Sequence, residues 1–292
     1  MRSGLCALVG RPNVGKSTLL NAIVGQKVAI TAAVPQTTRH AIRGVLHRDD
    51  LQIVFVDTPG MHKPKTLLGS RLNEVARDTL SGVDVIVFLI DGQAGVGRGD
   101  QFIAELLADV QTPKIAVVNK VDAYAKPKVL PQLGRVAAMG DWDEVVPISA
   151  AKGDTVETLV GLIAERMPEG PPYFPEGQVT DQTQEQLFSE LIREKAIRLM
   201  QEEVPHSIAV AIEEIGPGES QGVVAVTATL YVERDSQKGI VIGKGGAVLK
   251  RIGKEAREEM QAILGGRVYL DLRVKLAKEW QRDPKQLQRL GY

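Results

Sequence analysis

Residues 10–18 of the sequence read GRPNVGKST, a run that places a lysine and two hydroxyl side chains directly after a glycine. The pattern G-x-x-x-x-G-K-[ST] is that of a phosphate-binding loop, in which backbone N–H groups and the start of the next helix hold phosphate oxygens. Lys16 would reach the β- and γ-phosphates, and the Ser17 hydroxyl would bind Mg²⁺. An apolar run at 5–9 and a helical pattern at 16–24 flank the loop, as this mechanism requires.

Three further motifs follow apolar, strand-like runs: DTPG at 57–60, NKVD at 119–122 and SAAKGD at 149–154. Runs that are apolar on both faces are typical of a parallel sheet covered on each side by helices. The carboxyl ends of parallel strands meet at the ligand-binding edge of such a sheet. We therefore expect a doubly wound α/β fold in which these motifs lie beside the phosphate-binding loop.

Together and in this order, the motifs resemble the signature motifs of the Ras-like GTPases of the translation-factor-related class, over residues 5–167. The resemblance implies a P-loop GTPase domain that binds GTP and GDP with Mg²⁺ and hydrolyses GTP. Asp57 would hold Mg²⁺ through a water molecule, and the Gly60 N–H would sense the γ-phosphate. The residues that the resemblance implies at the phosphates are Gly10, Asn13, Val14, Gly15, Lys16, Ser17 and Thr18.

The same resemblance assigns residues to the nucleotide base. Asp122 would accept hydrogen bonds from the ring nitrogen and the exocyclic amine of guanine, while Asn119 and Lys120 would line the base. The Ala150 N–H, directly after Ser149, would meet the guanine carbonyl oxygen. Adenine has an acceptor at the first of the two positions facing Asp122 and lacks the amine, so a carboxylate here selects GTP over ATP.

The segment VPQTTRH at 34–40 lies between the phosphate-binding loop and DTPG. GTPases carry a switch there that closes on Mg²⁺ and the γ-phosphate. Thr38 is the predicted Mg²⁺ ligand, and Thr37 is the alternative. Thr38 joins Lys16 and Gly60 in the set of residues predicted to act in catalysis.

Met61 stands where many GTPases carry the glutamine that orients the attacking water. A methionine side chain cannot do this, so we expect slow intrinsic hydrolysis unless a partner or a bound cation assists. Asn13 is a candidate ligand for that cation, because related GTPases with N-V-G-K-S use this asparagine to hold K⁺. The alternative, that Asn13 stabilises its own loop, stays open.

The α/β pattern ends at residue 167, which gives a Ras-like GTPase domain over 1–167. Residues 168–182 are rich in proline and glycine and are predicted to form an extended, semi-rigid linker. A second, smaller domain follows over 183–292. The elements predicted in it are a helix at 185–203, strands at 207–215 and 223–232, a helix at 247–264 and a strand at 267–276.

The sequence GKGG at 243–246 follows an aliphatic run and opens a basic helix, an order of elements that resembles a type II KH domain, an α+β RNA-binding fold. Residues 238–292 hold 13 basic and six acidic residues, although the whole chain has 36 of each. This excess supports a nucleic-acid surface. An aromatic content of 4% argues against a base-stacking platform. The residues predicted to bind RNA are Ile242, Gly243, Lys244, Gly245, Gly246, Lys250, Arg251 and Lys254.

The composition indicates a globular protein and argues against a disulfide, a zinc site and a membrane-spanning helix. With 43% hydrophobic and 25% charged residues, the chain is typical of a globular protein. Cys6 is the one cysteine, so a disulfide within the chain is excluded, and the four histidines show no zinc-ligand spacing. The most apolar run, at 85–90, is far shorter than the roughly 20 residues of a membrane-spanning helix.

A Ras-like GTPase followed by a type II KH domain resembles the Era family of bacterial GTPases over essentially the whole chain. The resemblance implies a switch that binds single-stranded RNA near the 3′ end of the small-subunit ribosomal RNA, within the pre-30S particle, and acts in its assembly. It also implies a cytoplasmic protein with peripheral contact at the inner membrane, and we expect a monomer. Two alternatives stay open: a constitutive RNA-binding module with weak GTPase activity, and a GTPase that acts on a protein or membrane partner.

Overall fold

The structure of the protein, a computed structural model, describes residues 1–32, 34, 37–64 and 66–292. The chain forms two compact units, whose main division lies between Asp181 and Gln182. Each unit encloses its own buried hydrophobic side chains.

The strands of the first unit are β1 (Arg2–Gly10), β2 (Ile42–Arg48), β3 (Leu51–Asp57), β4 (Val85–Asp91), β5 (Lys114–Asn119) and β6 (Glu144–Pro147). They form one sheet with the order β2-β3-β1-β4-β5-β6. Strand β2 runs antiparallel to β3, and the other neighbouring pairs are parallel. Because β1 lies where the strand order reverses, the loop that follows it occupies the usual ligand-binding position of an open α/β sheet.

The helices of the first unit are α1 (Lys16–Val24), α2 (Leu67–Leu80), α3 (Arg98–Ala108), α4 (Val129–Ala137) and α5 (Val156–Glu165), with short 3₁₀ turns at Val121–Ala123 and Lys126–Lys128. Hydrophobic clusters cover both faces of the sheet. Leu8 of β1 packs in one cluster with Leu19 of α1, whereas Val9 packs in the other with Ile103 of α3. Since successive residues of a strand point to opposite faces, the expectation of a doubly wound α/β domain is confirmed.

Residues 168–181 lie along the first unit and are hydrogen-bonded to it. The Ser3 N–H donates to the Pro168 carbonyl at 3.0 Å. The buried side chain of Gln52 accepts from the Tyr173 and Phe174 N–H groups at 2.6 and 3.0 Å, and its amide donates to the Phe174 carbonyl at 2.8 Å. This proline-rich segment is therefore fixed on β3 by a glutamine that the sequence analysis did not single out.

The elements of the second unit are α6 (Gln184–Leu199), α7 (Val204–Ser207), β7 (Ala209–Pro217), β8 (Val223–Val232), α8 (Asp235–Ile242), α9 (Ala247–Leu264), β9 (Arg267–Leu276) and α10 (Pro284–Arg289). The sheet has the order β7-β8-β9, with β7 antiparallel and β9 parallel to β8. Phe188 of α6, Leu230 of β8 and Ile252 of α9 meet in its core. The expectation of a smaller α+β domain after the α/β domain is confirmed.

Two predicted bounds in the second unit are wrong. The helix predicted to reach residue 203 ends at Leu199, because Met200 is extended, with φ −101° and ψ 158°. The strand predicted to start at residue 207 starts at Ala209, because α7 occupies the preceding residues. The strands at 223–232 and 267–276 and the helix at 247–264 have the predicted bounds.

Within the described ranges of the chain, no helix combines the length and hydrophobicity that crossing a membrane requires.

Candidate nucleotide site and nucleic-acid groove

The loop between β1 and α1 has the geometry of an anion cradle. Gly15 has φ 103°, and a Cβ there would lie 2.2 Å from Asn119 Nδ2, so the backbone requires glycine. In the described part of the chain no side chain caps the start of α1, and the first turn holds no acidic residue. The N–H groups of this turn thus remain available to a negatively charged ligand.

Lys16 is buried at the start of α1, and its ammonium group donates to the Gly10 and Arg11 carbonyls at 3.2 and 3.1 Å. Burial lowers the pKa of Lys16, and the nearby Asp57 carboxylate opposes that shift. A buried cation held by two carbonyl groups gains stabilisation from an anion in the loop. The position predicted for Lys16 is therefore one at which phosphate would compensate its charge.

Ser17, Thr38 and Asp57 meet at the far side of the loop. The Ser17 hydroxyl donates to Asp57 Oδ2 at 2.6 Å, Thr38 Oγ1 donates to the same oxygen at 3.3 Å, and the two hydroxyl oxygens are 3.0 Å apart. Burial raises the pKa of Asp57, while Lys16 and the two hydroxyl hydrogen bonds oppose that shift.

The other carboxylate oxygen, Asp57 Oδ1, is buried and has no hydrogen-bond partner among the residues that the structure describes. One unpartnered carboxylate oxygen beside two hydroxyl groups is a donor set that suits Mg²⁺. Thr38, the first choice of the two candidate switch threonines, contributes its hydroxyl to this set. Pro35 and Gln36 of the predicted switch segment lie outside the described residues.

Gly60 packs directly against the phosphate-binding loop. A Cβ at Gly60 would lie 2.5 Å from the Pro12 nitrogen, so only glycine fits there. The next residue, Met61, donates its N–H to the Gly10 carbonyl at 3.3 Å, and its side chain is buried in a hydrophobic cluster with Val9. Met61 therefore serves the core, in agreement with the expectation that it does not orient water.

The NKVD and SAAKGD motifs are joined to the phosphate-binding loop by hydrogen bonds. The Asn119 amide donates to the Val14 carbonyl at 2.8 Å, and its oxygen accepts from the Ala150 N–H at 3.0 Å. Lys120 donates to the Asn13 carbonyl at 2.8 Å, with Asn13 in the left-handed conformation (φ 64°). Because the Ala150 N–H already donates to Asn119, a guanine carbonyl oxygen at this point would share that N–H with the Asn119 side chain.

Asp122 is exposed at the mouth of this site and accepts a hydrogen bond of 2.6 Å from the Ser149 hydroxyl. That bond lowers the pKa of Asp122, with Lys152 and Lys120 adding smaller contributions in the same direction. Because the depressed pKa keeps the group ionised near neutral pH, Asp122 presents an acceptor-only carboxylate at the surface. Thr18, in the first turn of α1, is only partly exposed beside the predicted magnesium ligands.

In the second unit, the GKGG sequence forms the predicted turn between α8 and α9. Gly243 has φ 72°, and a Cβ there would lie 2.4 Å from Val248 Cγ2. Gly245 and Gly246 have φ 61° and 77° but face open space. The glycines thus allow a turn without side chains, and Lys244 within it is exposed.

Next to this turn lies a groove of about 470 Å³ between α9 and β9. Lys250 and Lys254 line it, as predicted, and Ile242 is half-buried at the end of α8. Arg251 is not among the lining residues, since it points elsewhere on α9 and pairs with Glu255 at 2.7 Å. Lining residues that the sequence analysis missed are Leu249, Gly253, Arg257, Tyr269, Leu270, Asp271 and Leu272.

Comparisons with known proteins find matches in both units of the chain. A family model described as a 50S ribosome-binding GTPase matches residues 5–120, and a KH domain model matches residues 203–281. GTPase Era of Mycobacterium bovis (strain BCG / Pasteur 1173P2) is 53% identical over 295 residues, covering 99% of this chain and 98% of that protein. The chain belongs to the Era family of GTPases.

Further Era proteins match over the same length. GTPase Era of Mycobacterium avium (strain 104) is 53% identical over 295 residues, covering 100% of this chain and 99% of that protein. A solved structure of Era in complex with MgGDPNP and nucleotides 1506–1542 of 16S ribosomal RNA has a TM-score of 0.98 and 42% identity, with 100% and 99% of the chains covered. A variant of Aquifex aeolicus Era bound to GDP.AlF4⁻ has a TM-score of 0.97 at the same identity and coverage.

The Era-family site holds charged residues that the sequence analysis missed. Arg11, within the phosphate-binding loop, lies 2.7 Å from the fully buried carboxylate of Asp100 at the start of α3. Asp91, the last residue of β4, lies 2.6 Å from the Lys120 ammonium group. Asp91 ends an apolar strand, as the motif residues do, and this position was a signal that could have identified it.

Proposed function

We propose that this Era-family chain is a GTP-hydrolysing switch that binds single-stranded RNA near the 3′ end of the small-subunit ribosomal RNA and acts in assembly of the small subunit. The observation that carries the proposal is the meeting of Ser17, Thr38 and Asp57, which joins the switch segment to the phosphate-binding loop. GTP, which has a γ-phosphate, would contact the switch segment at this point, and GDP would not. The two nucleotides would therefore favour different states of the switch.

GTP and GDP are the proposed nucleotides, with Mg²⁺ held by Ser17, Thr38 and Asp57. Support comes from the unpartnered Asp57 oxygen and from Era relatives solved with MgGDPNP and with GDP.AlF4⁻. The bound ion would neutralise charge on the β- and γ-phosphates. Asp122 is the proposed guanine-specific residue, because an ionised carboxylate accepts both hydrogen bonds that guanine offers.

In the proposed reaction, Lys16 neutralises charge on the transferred phosphoryl group, and the Gly60 N–H donates to a γ-phosphate oxygen. Thr38 holds the switch closed over the site. The side chain of Met61 lies in the core and leaves no glutamine to orient the attacking water, which supports a slow intrinsic rate. A K⁺ ion held by Asn13 is the proposed aid to hydrolysis, and replacing K⁺ by Na⁺ in the assay tests it.

RNA is proposed to bind at the GKGG turn and along the groove between α9 and β9. The turn has no side chains at its glycines, so a nucleic-acid backbone can approach it closely. Lys250 and Lys254 attract phosphates, and Leu249, Leu270 and Leu272 offer an apolar wall to the bases. An Era relative solved with a 16S ribosomal RNA fragment supports the choice of ligand.

A pair of variants tests the RNA site with little change in fold. Gly245 has a left-handed conformation that asparagine and aspartate both tolerate, and it faces open space. Gly245→Asp adds a negative charge at the turn, and Gly245→Asn is the neutral control of equal size. Fluorescence anisotropy with a single-stranded 3′-end RNA should show at least about 10-fold weaker binding for Gly245→Asp than for Gly245→Asn. Equal affinities for the two variants would contradict the proposed site.

A second candidate function is a constitutive RNA-binding module with weak GTPase activity. The buried position of Met61 favours it, since the chain lacks the usual water-orienting side chain. This alternative predicts the same RNA affinity in Lys16→Ala as in the original chain, whatever nucleotide is present. The switch predicts that Lys16→Ala loses the effect of a GTP analogue on RNA binding.

The proposed setting is the cytoplasm, with peripheral contact at the inner membrane and with the pre-30S particle as the partner of a monomer. This part of the proposal rests on the family resemblance. Sedimentation of the full chain with and without small ribosomal subunits and membrane vesicles tests each element of it.

A further inference from the structure

The loop that follows Gly60 is fastened to α2 by one buried amide. The Asn73 side chain is only 6% exposed. Its nitrogen donates to the His62 carbonyl at 2.7 Å, and its oxygen accepts from the His62 N–H at 3.3 Å. Both ends of the Asn73 amide therefore hold the backbone of a single residue, two positions after Gly60.

His62 carries this restraint back to Gly60. His62 Nδ1 lies 3.1 Å from the Gly60 carbonyl oxygen, a contact in which the ring nitrogen donates and the carbonyl accepts. Gly60 in turn packs closely against the phosphate-binding loop, since a Cβ at Gly60 would lie 2.5 Å from the Pro12 nitrogen. Asn73, His62 and Gly60 thus form a continuous set of contacts from α2 to the phosphate-binding loop.

The direction of the Gly60 N–H matters only when a γ-phosphate is present. In the proposed function this N–H donates to the γ-phosphate, whereas GDP has no group at that position. The Gly60 carbonyl that His62 holds belongs to the peptide group after the N–H, so this contact restrains the N–H through the Gly60 Cα. A residue that holds the backbone of Gly60 in place therefore contributes to the affinity for GTP but not to that for GDP. A differential affinity of this kind is what lets a nucleotide shift a switch.

We propose that Asn73 is a positioning residue for the reaction: it acts through His62 to fix the Gly60 N–H and so sets the discrimination between GTP and GDP. The inference rests on the proposed GTPase function. It assigns a role in the switch to Asn73 of α2, which lies 11 positions along the chain from His62, the residue that it holds.

Asn21 provides a matched control on another helix. Its side chain makes the same kind of clamp, donating to the Ala29 carbonyl at 2.8 Å and accepting from the Val28 and Ala29 N–H groups at 2.9 Å. None of these bonds reaches Gly60. Asn21→Ala and Asn73→Ala therefore remove similar buried hydrogen bonds, and only the second removes the restraint on the γ-phosphate contact.

The experiment measures the Kd of the full chain for GDPNP and for GDP in excess Mg²⁺, with thermal unfolding as a check on folding. Asn73→Ala should weaken GDPNP binding about 10-fold and leave GDP binding within about twofold. Asn21→Ala should change both affinities by the same factor. Asn73→Asp keeps the acceptor for the His62 N–H but places a carboxylate oxygen against the His62 carbonyl, so it should weaken GDPNP binding at least as much as Asn73→Ala.

Equal losses for GDPNP and GDP in Asn73→Ala, or no loss for either, would overturn the positioning role. If Asn73→Ala does not fold, Asn73→Ser, which keeps a hydroxyl group at this buried position, decides by the same ratio of affinities. Failure of the original chain to bind either nucleotide would instead contradict the proposed function, and the two failures are therefore distinguishable.

Discussion

The Ser17 hydroxyl donates a hydrogen bond of 2.6 Å to Asp57 Oδ2, which joins two motifs that lie 40 positions apart in the chain. The Thr38 hydroxyl reaches the same carboxylate oxygen at 3.3 Å. Three segments with separate places in the sequence thus share one buried acceptor. In the proposed function, this arrangement lets the switch segment respond to the nucleotide in the phosphate-binding loop.

Thr38→Ala is expected to slow GTP hydrolysis about 100-fold, because it removes a group that contacts Mg²⁺ and closes the switch in the proposed reaction. GDP binding should change little. Phosphate release under single-turnover conditions measures the rate. Thr37→Ala is the control, and an equal loss of rate in that variant would contradict the assignment of the switch ligand to Thr38.

Asp122→Asn should reverse the base preference. The amide can donate a hydrogen bond to the 2-carbonyl of xanthine but cannot accept both donors of guanine. We expect GDP binding to weaken about 100-fold and XDP binding to strengthen. Competition against a fluorescent nucleotide measures both, and unchanged selectivity would show that Asp122 does not contact the base.

Lys250 and Lys254 line the groove between α9 and β9, whereas Arg251 on the same helix does not. We therefore expect different roles for these basic residues. Replacing Lys250 and Lys254 by Ala together should weaken RNA binding and lower the slope of log Kd against log salt by about 1.4, the value for two lost contacts with single-stranded phosphates. Arg251→Ala should have a smaller effect, because Arg251 pairs with Glu255 outside the groove. A larger loss from Arg251→Ala would move the RNA path to another face of α9.

Arg11→Ala should destabilise the first unit, because it leaves the fully buried Asp100 carboxylate without its charged partner. Within the described part of the chain, that side chain would keep only the hydrogen bond from the Gly97 N–H. The expected loss is about 1–3 kcal/mol in the free energy of unfolding. Arg48 is the control: its pair with Glu157 is exposed at both ends, so Arg48→Ala should cost less than about 1 kcal/mol. Urea denaturation followed by circular dichroism measures both, and similar losses would show that Asp100 does not depend on Arg11.

Local signals in the sequence predicted the elements that carry motifs. The apolar runs before the motif residues are buried strands. The helix after the phosphate-binding loop ends at Val24, as predicted, and is followed by Gly25 in the left-handed conformation. The GKGG turn can also be predicted from local sequence, because glycine most readily adopts the positive φ angles found at Gly243, Gly245 and Gly246.

Some features that depend on distant contacts were not predicted. Strand β2 has the mixed sequence IRGVLHR and becomes a strand by antiparallel pairing with β3 at the sheet edge. The proline-rich segment was expected to be a linker, yet Gln52 holds it along the first unit. Asn73 gave no signal, since an asparagine in a helical pattern has no local reason to bind a loop 11 positions away.

The central claim is that the nucleotide state controls RNA binding, and RNA affinity measured in two nucleotide states tests it most directly. The full chain would be titrated with a single-stranded RNA of the small-subunit 3′-end sequence, once in GDP and once in GDPNP, each with Mg²⁺. The switch predicts tighter RNA binding in GDPNP than in GDP. Equal affinity in the two states would contradict it.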